Sequence, residues 1–257
     1  MSIAITDLSY GIDGASLLSD INLNVEQGSI VAIVGPNGSG KTSLLRAASG
    51  EVAPTSGQVE LNGNNVFAMH PGMRALRYGV LPQEANLDFP FTVEEVVQMG
   101  RIPHLTTMRE NNSIVEEVLA EMELQDIRHR IYPTLSGGEK QRVQIGRVFC
   151  QIWGARNDAC LFLDEPTAAL DLAHQISLFK TIRQISNLGA TVMVVLHDIN
   201  LAFRFAEHVV LLSHGRVLAS GTPLEVFSVE NMRTAFLVEV EIFETNDPKR
   251  PFLIARE

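Results

Sequence analysis

Apolar and polar residues alternate over Ile21-Asn22-Leu23-Asn24-Val25-Glu26, the period of a strand with one face buried. Ile3, Ile5 and Leu8 open the chain in a similar way, so the first segment is β-rich. Ile30 to Val34 is an unbroken apolar run of strand length, and the helix-forming stretch Thr42 to Ala48 follows it across a glycine-rich turn. The pattern there reads strand, loop, helix.

From about residue 89 the spacing becomes helical. Thr92 with Glu95 fits a capping box, as does Ser113 with Glu116, and Val115, Val118, Leu119 and Met122 recur on one helical face. A helical segment is expected to run to about residue 155. Beyond it, Cys160 to Leu163 and Thr191 to Leu196 read as buried strands separated by a helix from about Leu172 to Ser186, with Leu178, Ile182 and Ile185 on one face. Thr222-Pro223-Leu224-Glu225 is a helix start with proline at its first position, and Val238 to Phe243 alternates like an edge strand. The last dozen residues, with Pro248 and Pro251, predict a loose tail, and no internal repeat is visible.

The chain has 257 residues, 46% of them hydrophobic and 19% charged, enough for one large α/β domain or two lobes sharing a ligand. A formal net charge of −10, without a run of Lys and Arg, argues against nucleic acid as a partner. No apolar run approaches the ~18 residues of a spanning helix, and Asp7 and Asp13 interrupt any export signal, so a cytosolic chain that does not itself cross a bilayer is expected. Cys150 and Cys160 have neither metal-ligand nor CxxC spacing and read as core thiols.

Chemistry enters at Gly35-Pro36-Asn37-Gly38-Ser39-Gly40-Lys41-Thr42, which fits G-x-x-x-x-G-K-[ST] between a predicted strand and a predicted helix. Glycines let the backbone curl so that N–H groups point at phosphate oxygens, and the helix start adds its positive dipole end. Lys41 would supply charge to the β- and γ-phosphates, Thr42 a hydroxyl to Mg²⁺, and Ser43 closes the segment. Without that context the string would read as a glycine-rich turn before an ordinary helix.

The apolar run Cys160 to Leu163 ends in Asp164 and Glu165, and Pro166 blocks its continuation. In a P-loop enzyme the first acid at such a strand end holds Mg²⁺, which assigns Asp164, and Glu165 is then placed to orient and deprotonate an attacking water.

Between these elements lies Leu135-Ser136-Gly137-Gly138-Glu139-Lys140-Gln141-Arg142, and here the sequence resembles the ABC ATPase superfamily over nearly its whole length. The same string is also a capped helix start, Ser136 with Glu139, and both readings hold together. The resemblance implies an α/β fold, a RecA-like P-loop NTPase core carrying an N-terminal antiparallel β subdomain and an inserted α-helical subdomain. Residues 1–88 and 156–221 would form the core with the β subdomain, 89–155 the helical subdomain, and 222–257 a C-terminal helix, strand and tail. It further implies that Ser136, Gly137, Gly138 and Glu139 complete the ATP site of an opposite subunit.

Other positions match in order. Tyr10, in Leu8-Ser9-Tyr10-Gly11, resembles the aromatic that stacks on adenine, though alone it would read as a packing residue. Gln83 resembles the glutamine that touches Mg²⁺ or the attacking water. Asp171 resembles the aspartate at the dimer interface, and His197 the switch histidine that contacts the γ-phosphate. Two departures are visible: Ala168 stands where many relatives have serine, and Gly146 lies inside the helix after the signature, where glycine costs about 1 kcal/mol relative to alanine.

The implied protein binds ATP and Mg²⁺, works as a homodimer of ATPase subunits on an integral-membrane permease dimer at the cytoplasmic face of the inner membrane, and is served by a periplasmic or extracellular substrate-binding protein. The stretch from Leu81-Pro82-Gln83 to Met99-Gly100-Arg101-Ile102-Pro103-His104 is similar to the iron-chelate, haem and cobalamin import group. Gln151 to Asp158 and Asp171-Leu172-Ala173-His174-Gln175 are similar to its haem-importing members. Ferric-siderophore or cobalamin import is the alternative cargo, and an iron–sulfur assembly scaffold the non-transport alternative.

Overall fold

The computed structural model describes residues 2–83, 87–243 and 251–256. Strands β1 (Ile3–Ile12) and β2 (Ala15–Val25) pair antiparallel across Asp13 and Gly14, whose φ values of 50° and 82° give the two left-handed residues a tight hairpin turn requires. Then come β3 (Ile30–Val34), α1 (Lys41–Ala48), β4 (Ser56–Leu61), β5 (Asn64–Asn65), α2 (Pro71–Ala75) and β6 (Tyr78–Leu81). Helices α3 (Val93–Gln98), α4 (Met108–Glu121) and α5 (Gly137–Ile152) pack on one another. They are followed by β7 (Cys160–Asp164), α6 (Leu172–Asn187), β8 (Thr191–Val195), α7 (Ile199–Phe205), β9 (His208–Ser213), β10 (Arg216–Gly221), α8 (Pro223–Val226), α9 (Val229–Phe236), β11 (Val240–Phe243) and β12 (Phe252–Ala255).

Strands β2-β1-β4-β5 make one antiparallel sheet, and β10-β9-β3-β8-β7-β6 a second in which only the β10–β9 pair is antiparallel. Alternate residues of the central strands divide between two cores. Ile30, Ala32 and Val34 of β3, with Leu161 and Leu163 of β7, face a core shared with α3 to α6, whereas Val31, Ile33 and Phe162 face one shared with α1 and the antiparallel sheet. A parallel sheet covered on both faces needs apolar residues at every position, which is why these strands are continuous runs. Each such side chain contributes roughly 1.5–3 kcal/mol by burial.

Two expectations are corrected. Ser113 lies inside α4; the helix is capped by Thr107, whose hydroxyl accepts from Glu110 N while the Glu110 carboxylate accepts from Thr107 N at 2.8 Å. Glu116 instead accepts from Arg128 at 2.6 Å, together with Glu94. Thr107 with Glu110 offers the same capping spacing earlier in the chain, and starting there gives α4 about two turns ahead of Val115, where its buried face begins, which a cap at Ser113 would forgo. Part of the expected loose tail is a strand: Phe252 to Ala255 pairs with β11 and buries Leu253, because its short alternation finds a partner strand that composition did not reveal. Pro248 lies outside the described residues. The thiols Cys150 and Cys160 are buried, as expected.

Candidate functional site

Strand β3 ends at Val34 and the chain turns through Gly35, Gly38 and Gly40, all with positive φ, before α1 starts at Lys41. A Cβ on Gly35 would stand 2.2 Å from the Leu212 carbonyl oxygen, and one on Gly40 would stand 2.8 Å from Leu18 Cδ2, so the loop is pressed against β9 and β2 where only glycine fits. No side chain caps α1, which leaves its first N–H groups to an anion. Lys41 Nζ donates to Gly35 O at 3.0 Å and Pro36 O at 2.9 Å. Burial draws its pKa below the usual lysine range, opposed by the nearby carboxylates of Glu165 and Asp164.

Asp164 ends β7 almost fully buried. Burial pushes its carboxyl up; a hydrogen bond donated by the Thr42 hydroxyl pulls it down, the Glu165 charge raises it, and Lys41 and His197 lower it. Asp164 Oδ1 and Ser39 Oγ are buried polar atoms without a hydrogen-bond partner. An orphaned carboxylate oxygen beside a hydroxyl, in a cleft that Thr42, Gln83 and Asp164 line together, fits a hard cation with oxygen donors. Among the described residues no group of three or more His, Cys, Asp or Glu could hold a metal by itself.

Glu165 sits at φ 48°, a left-handed conformation uncommon for a non-glycine residue, and its Oε1 is 2.5 Å from His197 Nε2. Both side chains line a cleft of about 270 Å³ with Asn37, Gly38, Gly40, Lys41, Thr42, Ser43 and Gln83. The arrangement places an ammonium, a helix N-terminus, a hydroxyl and the Glu165 carboxylate around one opening, with Asp164 lining the adjoining cleft that shares Thr42 and Gln83, the set that phosphoryl transfer to water uses.

Ser136 caps α5: its hydroxyl accepts from Glu139 N at 3.3 Å, and Ser136 N donates to the Glu139 carboxylate at 2.7 Å. Arg130 donates to the other Glu139 oxygen at 2.8 Å. Ser136, Gly137, Gly138 and Glu139 are not brought to the Lys41 cleft of their own chain; Gly137 lines a separate cleft with Tyr132, Lys140 and Gln144. Gln83 lines both clefts. Asp171 caps α6, accepting from His174 N at 2.9 Å and lying 2.7 Å from His174 Nδ1, bonds that hold its carboxyl below the usual range. Tyr10 is half-buried on β1 opposite Leu18 and packs against the core beneath α1 rather than lining the Lys41 cleft.

Two neighbours of the site escaped the sequence reading. Leu17 lines the Lys41 cleft, but only the register of β2 puts it there. Gln141 donates to Pro166 O at 3.2 Å and so ties α5 to the turn after Glu165; it was visible only as part of the string around Ser136.

A largely parallel sheet whose central strand runs into a glycine loop and a buried lysine, with a strand ending in paired acids two places along the same sheet, defines a P-loop nucleotide-binding protein. The chain belongs to the ABC transporter family, whose match spans residues 18–168. It is 42% identical over 242 residues to the hemin import ATP-binding protein HmuV of Pseudomonas entomophila, covering 94% of this chain and 95% of that one. With the protein of the same name in Rhodopseudomonas palustris it shares 41% identity over 249 residues, 96% of this chain and 91% of the relative. A dimeric ATP-binding cassette bound to ADP and Pi, in a post-hydrolysis state, superposes with a TM-score of 0.75 at 28% identity, over 86% of this chain and 98% of that one. No described helix is long and apolar enough to cross a membrane.

Proposed function

We propose that the chain is the ATP-hydrolysing subunit of an ABC importer for haem, acting as a homodimer beneath an integral-membrane permease dimer on the cytoplasmic side of the membrane, with an external substrate-binding protein delivering cargo. The observation that carries the enzymatic part is the 2.5 Å contact between Glu165 and His197 at the mouth of the Lys41 cleft. The cargo rests on full-length similarity to proteins named for hemin import.

In this reading residues 35–43 wrap the phosphates of ATP, and Lys41 exchanges its two carbonyl acceptors for β- and γ-phosphate oxygens. Thr42, Asp164 and Gln83 would hold Mg²⁺, which when bound supplies positive charge to the phosphate oxygens. Glu165 aligns a water against the γ-phosphorus and accepts its proton, while His197 holds the Glu165 carboxylate and donates to the γ-phosphate. Tyr10 would stack on adenine. Ser136, Gly137, Gly138 and Glu139 of one subunit close over the ATP held by the other, and Asp171 lies at that interface. Residues 1–88 and 156–221 would act as the nucleotide-binding lobe, 89–155 as the lobe that meets the permease, and 222–257 as a C-terminal extension.

Glu165→Gln should keep ATP binding and abolish turnover; normal turnover in that variant removes Glu165 from its role. Cargo is tested by deleting the gene and scoring growth on haem, on a ferric siderophore and under cobalamin dependence, with a Lys41→Ala copy as control. Loss on haem alone supports the assignment, and loss on another cargo moves it there.

A further inference from the structure

His197 has little to hold it. It follows β8, its side chain is about half exposed (49%), and its described side-chain partner is Glu165. The next residue, Asp198, caps α7 by accepting from Asn200 N at 2.8 Å and Leu201 N at 3.3 Å. The position of His197 is therefore set by where β8 ends and where α7 begins.

The start of α7 is pinned from an unexpected direction. The Asn200 carboxamide bonds both backbone groups of Leu253 in β12: Leu253 N donates to Oδ1 at 2.8 Å, and Nδ2 donates to Leu253 O at 3.2 Å. A carboxamide offers one acceptor and a donor side by side, as a strand residue does, so Asn200 serves as a one-residue third strand on the outer edge of the β11–β12 hairpin. The Leu253 side chain is buried in the same core as Leu201, Ala202 and Phe203 of α7. The hairpin thus grips the first turn of α7 by backbone and by side chain, three residues after His197. Alanine at 200 would leave the helix but remove both bonds. Leucine or methionine could fill the volume but could not pair with Leu253.

We propose that Asn200 is a positioning residue for the His197–Glu165 pair, and that the C-terminal hairpin acts on ATP hydrolysis through it. This rests on the roles given to His197 and Glu165 above. Asn200 does not line the Lys41 cleft; it fixes the helix start from which His197 reaches Glu165. A displacement of His197 by an ångström or less is enough to lower turnover, because the histidine must meet Glu165 and a phosphate oxygen together.

The test is a double-mutant cycle on the full-length chain, with kcat and KM for MgATP as readouts. Asn200→Ala is expected to lower kcat about tenfold and leave KM within about twofold, and that loss should vanish in a His197→Ala background, where nothing remains to be positioned. Asn200→Asp keeps the acceptor for Leu253 N but loses the donor to Leu253 O, and should fall between wild type and Asn200→Ala; if Asn200→Ala does not melt cooperatively, this variant carries the cycle. An unchanged kcat in folded protein, or the same loss with and without His197, overturns the proposal and makes Asn200 a clip for the hairpin only. Wild-type turnover in His197→Ala alone would instead strike at the role of His197, a separate result from either of these.

Discussion

Gly138 stands so close to Ala169 that a Cβ added to it would lie 2.9 Å from the Ala169 carbonyl oxygen. The start of α5 is thus packed directly on the turn between Glu165 and Asp171, while Gln141 one turn on holds Pro166 O.

Gly138→Ala must push these two backbones apart, since a carbonyl cannot swing away as a side chain does. We expect turnover to fall at least about tenfold while binding of a fluorescent ATP analogue to dilute, monomeric protein changes less than about twofold, because Gly138 does not line the Lys41 cleft of its own chain. Equal losses in both would show that the contact supports the fold as a whole.

Gly146 is the opposite case. A Cβ there meets Val97 Cγ2 at 3.4 Å and Leu124 Cδ1 at 3.5 Å, ordinary contact distances, and the residue has normal helical φ. Gly146→Ala should therefore stabilise the chain by about 0.5–1 kcal/mol through helix propensity, read as a raised urea midpoint at constant m.

Cys150 and Cys160 are each pushed up to about 12 by burial. At pH 8 neither should react with iodoacetamide in the native protein, and both should react in denaturant, as counted by mass spectrometry. The sign for stability follows. Below the ordinary thiol value of 9.0 both states carry the proton and the thiols contribute no pH dependence; between 9 and 12 only the unfolded chain ionises, so stability falls as pH rises.

Glu95, Glu110, Glu139 and Glu225 each have a carboxyl held below the ordinary value of 4.5, first by a backbone hydrogen bond at the helix start. A depressed folded pKa gives stability that is fully present above about 4.5 and is lost as the pH falls through the folded value. Thermal midpoints measured from pH 6 to pH 3 should drop on the acid side. Replacing the four by glutamine should flatten that drop.

The elements buried on both faces were legible in the sequence almost to the residue: Ile30 to Val34, Cys160 to Leu163 and Thr191 to Leu196 are apolar at every position but Thr191, at the start of its strand, because the sheet is covered twice. The phosphate loop and the acids at 164 and 165 were legible for a related reason, since glycine, lysine and paired carboxylates at a strand end are costly unless used. Capping was only half legible. Thr92, Ser136 and Thr222 were found, yet Ser113 satisfied the same spacing as Thr107, and only the depth of Val115 in its helix separates them. Asn200 and Leu17 had no local signal, because their partners are made by pairing over a long separation in sequence. The β12 strand was hidden for the same reason: four residues after a proline become a strand only when β11 and Asn200 are there to meet them.

Gln83 forms part of the wall of three clefts, and of these one lies beside Lys41 and another beside Tyr132 and Lys140. A shared wall sets a clock as well as a route. In the proposed cycle, news of a phosphate on one side would reach the other by the turn of one exposed side chain, an event of picoseconds to nanoseconds, whereas domain motions take microseconds to milliseconds. On that reading the partition would pass its signal far faster than any lobe could swing.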